Sequence, residues 1–312
     1  MLGIIQDNDI KLLRIFRAIA ESGGFSLAQA KLNISLSAIS TYMSHLETRL
    51  GVRLCERGHG VFRLTDEGRA TLEATEKLFA ALENFRTDVA ESQNKLVGEL
   101  RIGLIDNCVT HPDSRIRAAL RNFSDRAPDA RTKIYVGGAI DLEEQVMDGR
   151  LHLAVGLFHH RVTGLEYIPL FKEDHLLYCG ADHPLFNRCD TDLSSEDFSK
   201  ANYVSWGYVE SLPDWTPPFA FNDVASSPYI EGISFFVLSG RFLAYLPTHY
   251  ASFWSEQNLI RPLLPETIRR TAEFHLIINS SRKASQLTRA FCEDLGSPIQ
   301  QDLASAQNSE IN

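Results

Sequence analysis

Between residues 35 and 44, hydroxyl side chains recur at Ser35, Ser37, Ser40, Thr41 and Ser44, and basic residues follow at Arg53, Arg57, His59 and Arg63. Hydroxyls hydrogen-bond phosphate oxygens and base edges, and arginines neutralise backbone phosphates, so this pairing of residue types suits a nucleic-acid duplex. A second polar set is dispersed further along the chain: Asp106, Asn107, Cys108 and Thr110, then Gly138-Ala139, Ser205-Trp206 and Ser226-Ser227. These fall after strand-like runs or just before helix-like ones, where free backbone amides bind small anions. Asp106 has two readings. Facing a ligand it repels carboxylates and prefers an amine or hydroxyl; capping the helix that follows, it carries no ligand information. Trp206 likewise stacks on a flat ligand or fills a core.

Other chemistries find little support. The sequence holds no G-x-S-x-G, G-x-x-x-x-G-K or H-E-x-x-H string, so the common hydrolytic, nucleotide and zinc-protease sites are not expected. His159 and His160 are adjacent and point apart, while His111, His175, His183 and His249 follow no metal-ligand spacing and read as surface histidines. No metal or cofactor is expected. The five cysteines are scattered without a C-x-x-C pair, which fits reduced thiols. A redox switch has one candidate pair, Cys179 with Cys189, and buried structural thiols are the simpler reading.

The elements that position the first polar set can be read from periodicity. Ile10, Leu13, Phe16 and Ile19 repeat at helical spacing, with Asn8 or Asp9 as cap and Gly23-Gly24 as stop. Ser26 is expected to cap a short helix over Leu27–Leu32, in which Ala28 permits close packing, and Asn33-Ile34 breaks it. Ser35 then caps a third helix that buries Ile39, Met43 or Tyr42, Leu46 and Leu50 and ends at Gly51. Its other face carries Ser37, Ser40, Thr41 and Ser44. Two β-rich runs, 52–55 and 61–64, flank a Gly-bounded basic loop holding Arg57 and His59. Three amphipathic helices and a hairpin are compatible with plain structure or with a winged helix-turn-helix whose third helix enters the major groove. Charge favours the second reading. Residues 1–65 hold eight Lys+Arg against five Asp+Glu, whereas residues 66–312 hold 23 against 35.

The stretch SGGFSLAQAKLNISLSAISTYMSHLETRLGVRLCERGHGVFRLTDEG resembles the winged helix-turn-helix of LysR-type transcriptional regulators. That family typically reads S-x-x-A-(L/I/V)-S-x-x-(I/L)-x-x-L-E-x-x-L-G-x-x-L-F-x-R and then L-T-x-x-G. Ser35, Ala38, Ile39, Ser40, Leu46, Glu47, Leu50, Gly51, Leu54, Arg57, Leu64, Thr65 and Gly68 stand in register. Departures occur at Leu36-Ser37, where Gln-Pro is common, at Thr41-Tyr42 in place of Arg-Gln, and at Cys55 in place of Phe. The recognition face is therefore less charged, and Leu36 or Tyr42 is expected to make apolar contacts such as one to a thymine methyl.

Thr65 caps a long helix running to about Glu91, with a stripe of Leu72, Thr75, Phe79, Leu82, Arg86 and Val89 widened by Leu78 and Phe85. The stripe packs on its own domain or pairs with a second chain, and the resemblance implies pairing. From Glu99 the pattern becomes alternating strand and helix, which argues for α/β architecture. The resemblance implies a periplasmic-binding-protein-like effector domain of two doubly wound lobes; YVGGAIDLEEQVMDGRLHLAVG and GRFLAYLP carry it, with His152 where Asp is usual. The second polar set then lines the cleft between the lobes, where effectors of this family, often small carboxylates, would bind.

The expected division is a DNA-binding domain at 1–65, a dimerisation helix at 66–92, an effector domain at 93–302 and a flexible tail at 303–312. Lobe I comprises 93–163 and 268–302, and lobe II 164–267. Apolar residues make up 44% of the 312 and charged residues 23%, which is ordinary globular usage. No apolar run approaches the ~18 residues of a membrane span, and the start lacks a signal peptide's basic-then-apolar order, so a cytoplasmic location is expected. The function expected is a non-enzymatic, DNA-binding regulator acting as a homodimer or homotetramer and responding to a small molecule, with double-stranded DNA and RNA polymerase as partners. Its rival is an α/β solute-binding or enzymatic protein whose N-terminal helices serve association only.

Overall fold

The computed structural model describes residues 5–56, 62–91, 96–206 and 220–297. The chain forms two compact units, Met1–Arg86 and Thr87–Asn312. The basic-loop residues Arg57 and His59 and the expected tail lie outside the described residues.

In the first unit, α1 (Asp7–Ser22) begins one residue before Asn8. Gln6 precedes it, and the Gln6 N–H donates to Asp9 Oδ2 at 2.9 Å, so Asp9 serves the terminus from the third helical position. Gly23 closes α1 in the left-handed region at φ 73°. α2 (Phe25–Leu32) starts two residues earlier than periodicity suggests. Gly24, at φ 150°, is its flanking residue, and Ser26 lies exposed inside the first turn without capping it. A glycine can adopt that backbone geometry; a serine N-cap would need the extended region. α3 (Leu36–Leu50) follows expectation: the Ala38 N–H donates to Ser35 Oγ at 3.2 Å, and Gly51 terminates the helix at φ 73°. Leu12, Ile15, Phe16 and Ile19 of α1 meet Ala28 of α2 and Ile39, Met43 and Leu46 of α3 in one core. The two β runs are reduced, among the described residues, to one antiparallel bridge, Cys55 with Leu64. α4 (Asp66–Glu91) is capped by Thr65, whose Oγ1 accepts the Gly68 N–H at 2.9 Å.

The second unit is built on one mixed sheet. Its elements are β1 (Gly98–Leu104), α5 (Ile116–Arg126), β2 (Ala130–Val136), α6 (Ala139–Asp148), β3 (Leu153–Gly156), β4 (Leu165–Gly180), α7 (Ser195–Lys200), β5 (Asn202–Ser205), β6 (Asn222–Ser226), α8 (Ile230–Leu238), β7 (Phe242–Pro247), α9 (Thr248–Ser255), β8 (Ile260–Pro262), β9 (Arg269–Asn279) and α10 (Gln286–Asp294). The strand order is β2-β1-β3-β9-β4-β7-β5-β6, with β8 beside β4. β1, β2 and β3 are parallel and form the first lobe. β5, β6 and β7 are parallel and form the second. β4 and β9 pair antiparallel from Leu165↔Asn279 to Leu176↔Arg269 and join the lobes.

β4 runs unbroken for 16 residues. The polar run Lys172-Glu173-Asp174 interrupts the apolar pattern in sequence, yet Glu173 is buried at 3% exposure because histidines satisfy its carboxylate. α10 returns to pack on α5, as expected of a chain that crosses twice, through Phe123 and Phe291 in edge-to-face contact.

Candidate nucleic-acid interface and interlobe site

The buried stripe of α3 leaves Leu36, Ser37, Ser40, Thr41 and Ser44 exposed on the opposite side, joined by His45. Some of these hydroxyls are already committed. Thr41 Oγ1 donates to the Ser37 carbonyl at 2.9 Å, and Ser35 and Ser37 share a 3.1 Å hydrogen bond. Thr41 thus keeps acceptor capacity and its methyl group for a partner. Tyr42 departs from expectation. It is half-buried, its hydroxyl accepts from Lys11 Nζ at 3.2 Å, and the ammonium lies 4.6 Å from the ring centroid. Its side chain belongs to the contact with α1, which leaves Leu36 as the apolar residue on the open face. Arg53 and Arg63 are exposed.

Two buried acids, not singled out for this role by periodicity, fix this face. Asp9 pairs with Arg49 in a bidentate contact, Nε to Oδ1 at 2.8 Å and Nη2 to Oδ2 at 2.5 Å, locking α3 to α1. The hydrogen bond from Arg49 holds the Asp9 carboxyl below its usual range. Glu47, 7% exposed, accepts the Leu54 N–H at 2.9 Å and so ties the recognition helix to the chain entering the wing. Leu54 O in turn accepts the Thr65 N–H at 3.1 Å, and Glu56 N–H donates to Arg63 O at 3.0 Å. Cys55 is 4% exposed within the same core.

In the second unit, Asp106 does not cap the helix that follows it. Its Oδ2 accepts the Ile230 N–H at 2.7 Å, so a loop of lobe I caps α8 of lobe II across 124 positions of sequence. Burial pushes its carboxyl above the usual carboxylate range despite that N–H, and Glu173 adds to the rise. Asn107 adopts the left-handed conformation at φ 68°, and its side-chain Nδ2 and Oδ1 are enclosed without a hydrogen-bond partner among the described residues. Cys108 is buried, its thiol donates to Ile105 O at 3.2 Å, and burial raises its pKa far above that of a reactive thiol. Thr110 Oγ1 is hydrogen-bonded to His249 Nδ1 at 2.8 Å, a second link between the lobes.

Gly138 precedes α6 with open space at its Cα, while Ala139 is buried. Ser205 is buried, with Oγ donating to Ala225 O at 3.4 Å. Trp206 is a core residue: its indole N–H donates to Tyr245 O at 3.0 Å and its ring lies 5.0 Å from that of His175. Ser226 is exposed, and Ser227 Oγ accepts the Tyr229 N–H at 3.2 Å in the turn before α8. The structure thus brings the Asp106 loop to the turn after Ser226-Ser227 and assigns Trp206 to packing.

Three of the histidines expected at the surface are buried. His111, His175 and His183 are 8%, 0% and 7% exposed. His249 Nε2 meets Glu173 Oε1 at 2.7 Å and His175 Nε2 meets Glu173 Oε2 at 2.6 Å. Their sequence separations gave no hint of this cluster, because β4 and the start of α9 become neighbours only through the sheet. His152, where Asp is usual, accepts the Arg101 N–H on Nδ1 at 3.0 Å. Burial, reinforced by the Arg101 guanidinium, lowers its pKa to about 3. The cysteine pair is mismatched: burial pushes Cys179 up to about 12, while Cys189 is exposed and a hydrogen bond from Thr191 lowers it.

Residues 10–69 match the family described as bacterial regulatory helix-turn-helix protein, lysR family, and residues 93–297 match the LysR substrate binding domain. The chain belongs to the LysR family. It is a LysR-type DNA-binding transcriptional regulator with an effector-binding domain. It is 41% identical over 292 residues to the HTH-type transcriptional activator BauR of Pseudomonas aeruginosa, covering 94% of this chain and 96% of that one. It is 31% identical over 195 residues to the SDS degradation transcriptional activation protein of a Pseudomonas species, covering 62% of each. Its fold is similar to that of the LysR family regulator CbnR, with a TM-score of 0.66 at 18% identity over 92% of this chain and 98% of that one. CbnR bound to its target DNA gives a TM-score of 0.65 at 19% identity, with the same coverage. As a LysR regulator the chain gives physical meaning to the motif residues read above: Glu47, Leu54, Thr65 and Gly68 are the parts that join recognition helix, wing and α4.

Proposed function

We propose that this regulator inserts the open face of α3 into the major groove, with Ser40, Ser44, Thr41 and Leu36 toward base edges and Ser35, Ser37, Arg53, Arg57, His59 and Arg63 toward the backbone. Ser26 of α2 sits on the exposed side of the same unit and contributes to phosphate contact. The observation that carries the reading is the two-sidedness of α3: Ile39, Met43 and Leu46 are buried at 0%, 3% and 2% exposure, and the opposite side is a row of exposed hydroxyls. A helix used only for packing has no need of an uncharged polar face of groove dimensions. The relative named above as a transcriptional activator supports activation as the output.

Leu82, Phe85 and Val89 lie exposed on α4. A second copy of the helix would cover them, and pairing places two recognition helices on half-sites ~34 Å apart. We assign oligomer formation to residues 66–92, DNA contact to 1–65 and effector binding to 93–302. The effector sits between the lobes near Asp106, Asn107 and the start of α8, and acts by changing how the lobes are held. The protein works by binding rather than catalysis, in the cytoplasm, with RNA polymerase as the recipient of its signal; no helix is long and apolar enough to cross a membrane among the described residues.

Fluorescence anisotropy with duplexes from upstream of the protein's own coding region tests the reading. Arg63→Ala should weaken binding to all duplexes and reduce the slope of log affinity against log salt by about 1. Ser40→Ala should weaken only the preferred duplex. Equal affinity of both variants and the parent for every duplex would support the association-only alternative.

A further inference from the structure

The two lobes meet at a buried group of side chains that the regulator reading does not use. His111 comes from the loop between β1 and α5, Glu173 from the crossing strand β4, and His249 from the start of α9. One ligand atom from each lies within 4.8 Å of those of the other two. We propose that His111, Glu173 and His249 form a binding site for a divalent transition-metal ion of the zinc type, which staples lobe I to lobe II.

Two imidazoles and one carboxylate are a donor set suited to zinc, nickel, copper or iron(II), and poor for calcium or magnesium, which require more oxygen ligands. Ligands at ~2.0–2.2 Å from an ion are ~3.3 Å from one another in a tetrahedron. The present separations, from 2.7 Å between His249 Nε2 and Glu173 Oε1 up to the 4.8 Å limit, bracket that value. Small side-chain adjustments suffice to close the set.

The surrounding hydrogen bonds are those that orient metal ligands. Asp113 N–H donates to His111 Nδ1 at 3.1 Å, which places the proton on Nε2, where it points to Lys172 O at 3.2 Å. His111 therefore presents its lone pair at Nδ1. An ion that takes this lone pair displaces the Asp113 N–H bond. Thr110 Oγ1 lies 2.8 Å from His249 Nδ1 and can accept its proton, freeing Nε2 for the ion. His175 holds the second oxygen of Glu173 at 2.6 Å. Three protein donors leave a fourth position for water.

The test uses the full-length, tag-free protein, stripped with EDTA, dialysed and titrated with zinc sulfate in a calorimeter. One ion per chain is expected, with Kd of about 1 μM or tighter. The double variant His111→Gln/His249→Gln should lose that ion, and His160→Gln, at an exposed histidine outside the cluster, should retain it. No uptake by the parent, or unchanged uptake by the double variant, would overturn the site. Because the double variant loses buried hydrogen bonds and can misfold, zinc-edge X-ray absorption of the loaded parent provides an independent reading. Two imidazole nitrogens with oxygen donors are expected, whereas thiolate sulfur or an all-oxygen shell would assign the ion to another place.

Discussion

Gly68→Ala is the substitution that most directly probes how the recognition helix and wing are held together. A Cβ on Gly68 would lie 2.0 Å from Leu54 O, 2.9 Å from its carbonyl carbon and 3.2 Å from its Cα. These are backbone atoms, and they are pinned on both sides, by Glu47 through the Leu54 N–H and by Thr65 through the carbonyl. Leu54 is itself fully buried, so it has no free direction of retreat. On helix propensity alone, alanine would be favoured over glycine by up to ~1 kcal/mol. Overpacking against fixed backbone costs ~1–3 kcal/mol, and the steric effect should win. We expect a net loss of about 1–2 kcal/mol in the N-terminal unit, displacement of the chain carrying Arg63, and at least a tenfold loss of DNA affinity, equivalent to ~1.4 kcal/mol. Gly138→Ala is the internal control, since a Cβ there meets nothing within 4 Å. Urea denaturation followed by circular dichroism measures the first quantity and anisotropy the second. A Gly68→Ala protein with unchanged midpoint and unchanged DNA binding would refute the coupling of Glu47, Leu54 and Gly68.

His152 is predicted to make the second unit acid-sensitive. Its folded pKa of about 3 lies below the ordinary 6.5, so the unfolded chain binds the proton first. Stability from this group is complete above pH 6.5 and falls as pH drops toward 3, by up to ~4–5 kcal/mol; denaturation of His152→Asn should show a flatter pH profile over that window. Phe85→Glu should lower the oligomeric state seen by analytical ultracentrifugation, since the ring is 67% exposed in the single chain, and an unchanged sedimentation coefficient would remove α4 from the interface. Asp106→Ala deprives the Ile230 N–H of its acceptor and should cost ~0.5–2 kcal/mol, with faster hydrogen exchange at the start of α8; unchanged exchange there would show that the interlobe cap does not order the helix.

Local chemistry determined much of the DNA-binding unit. Ser35 before a run of Ile39, Met43 and Leu46, with Gly51 after it, specifies the start, buried side and end of α3, because caps and periodicity act over a few residues. The same logic located Thr65 at the start of α4. It failed at Ser26, where a glycine conformation decided the terminus, and along β4, where a polar triplet looked like a break. What only the tertiary structure decided are the pairings between residues far apart: Asp9 with Arg49, Glu47 with Leu54, Asp106 with Ile230, and His111, Glu173 and His249 around one point. A buried polar group must find a partner. Its sequence neighbourhood records that need, while the topology of the sheet and the crossing of β4 and β9 choose which partner it meets.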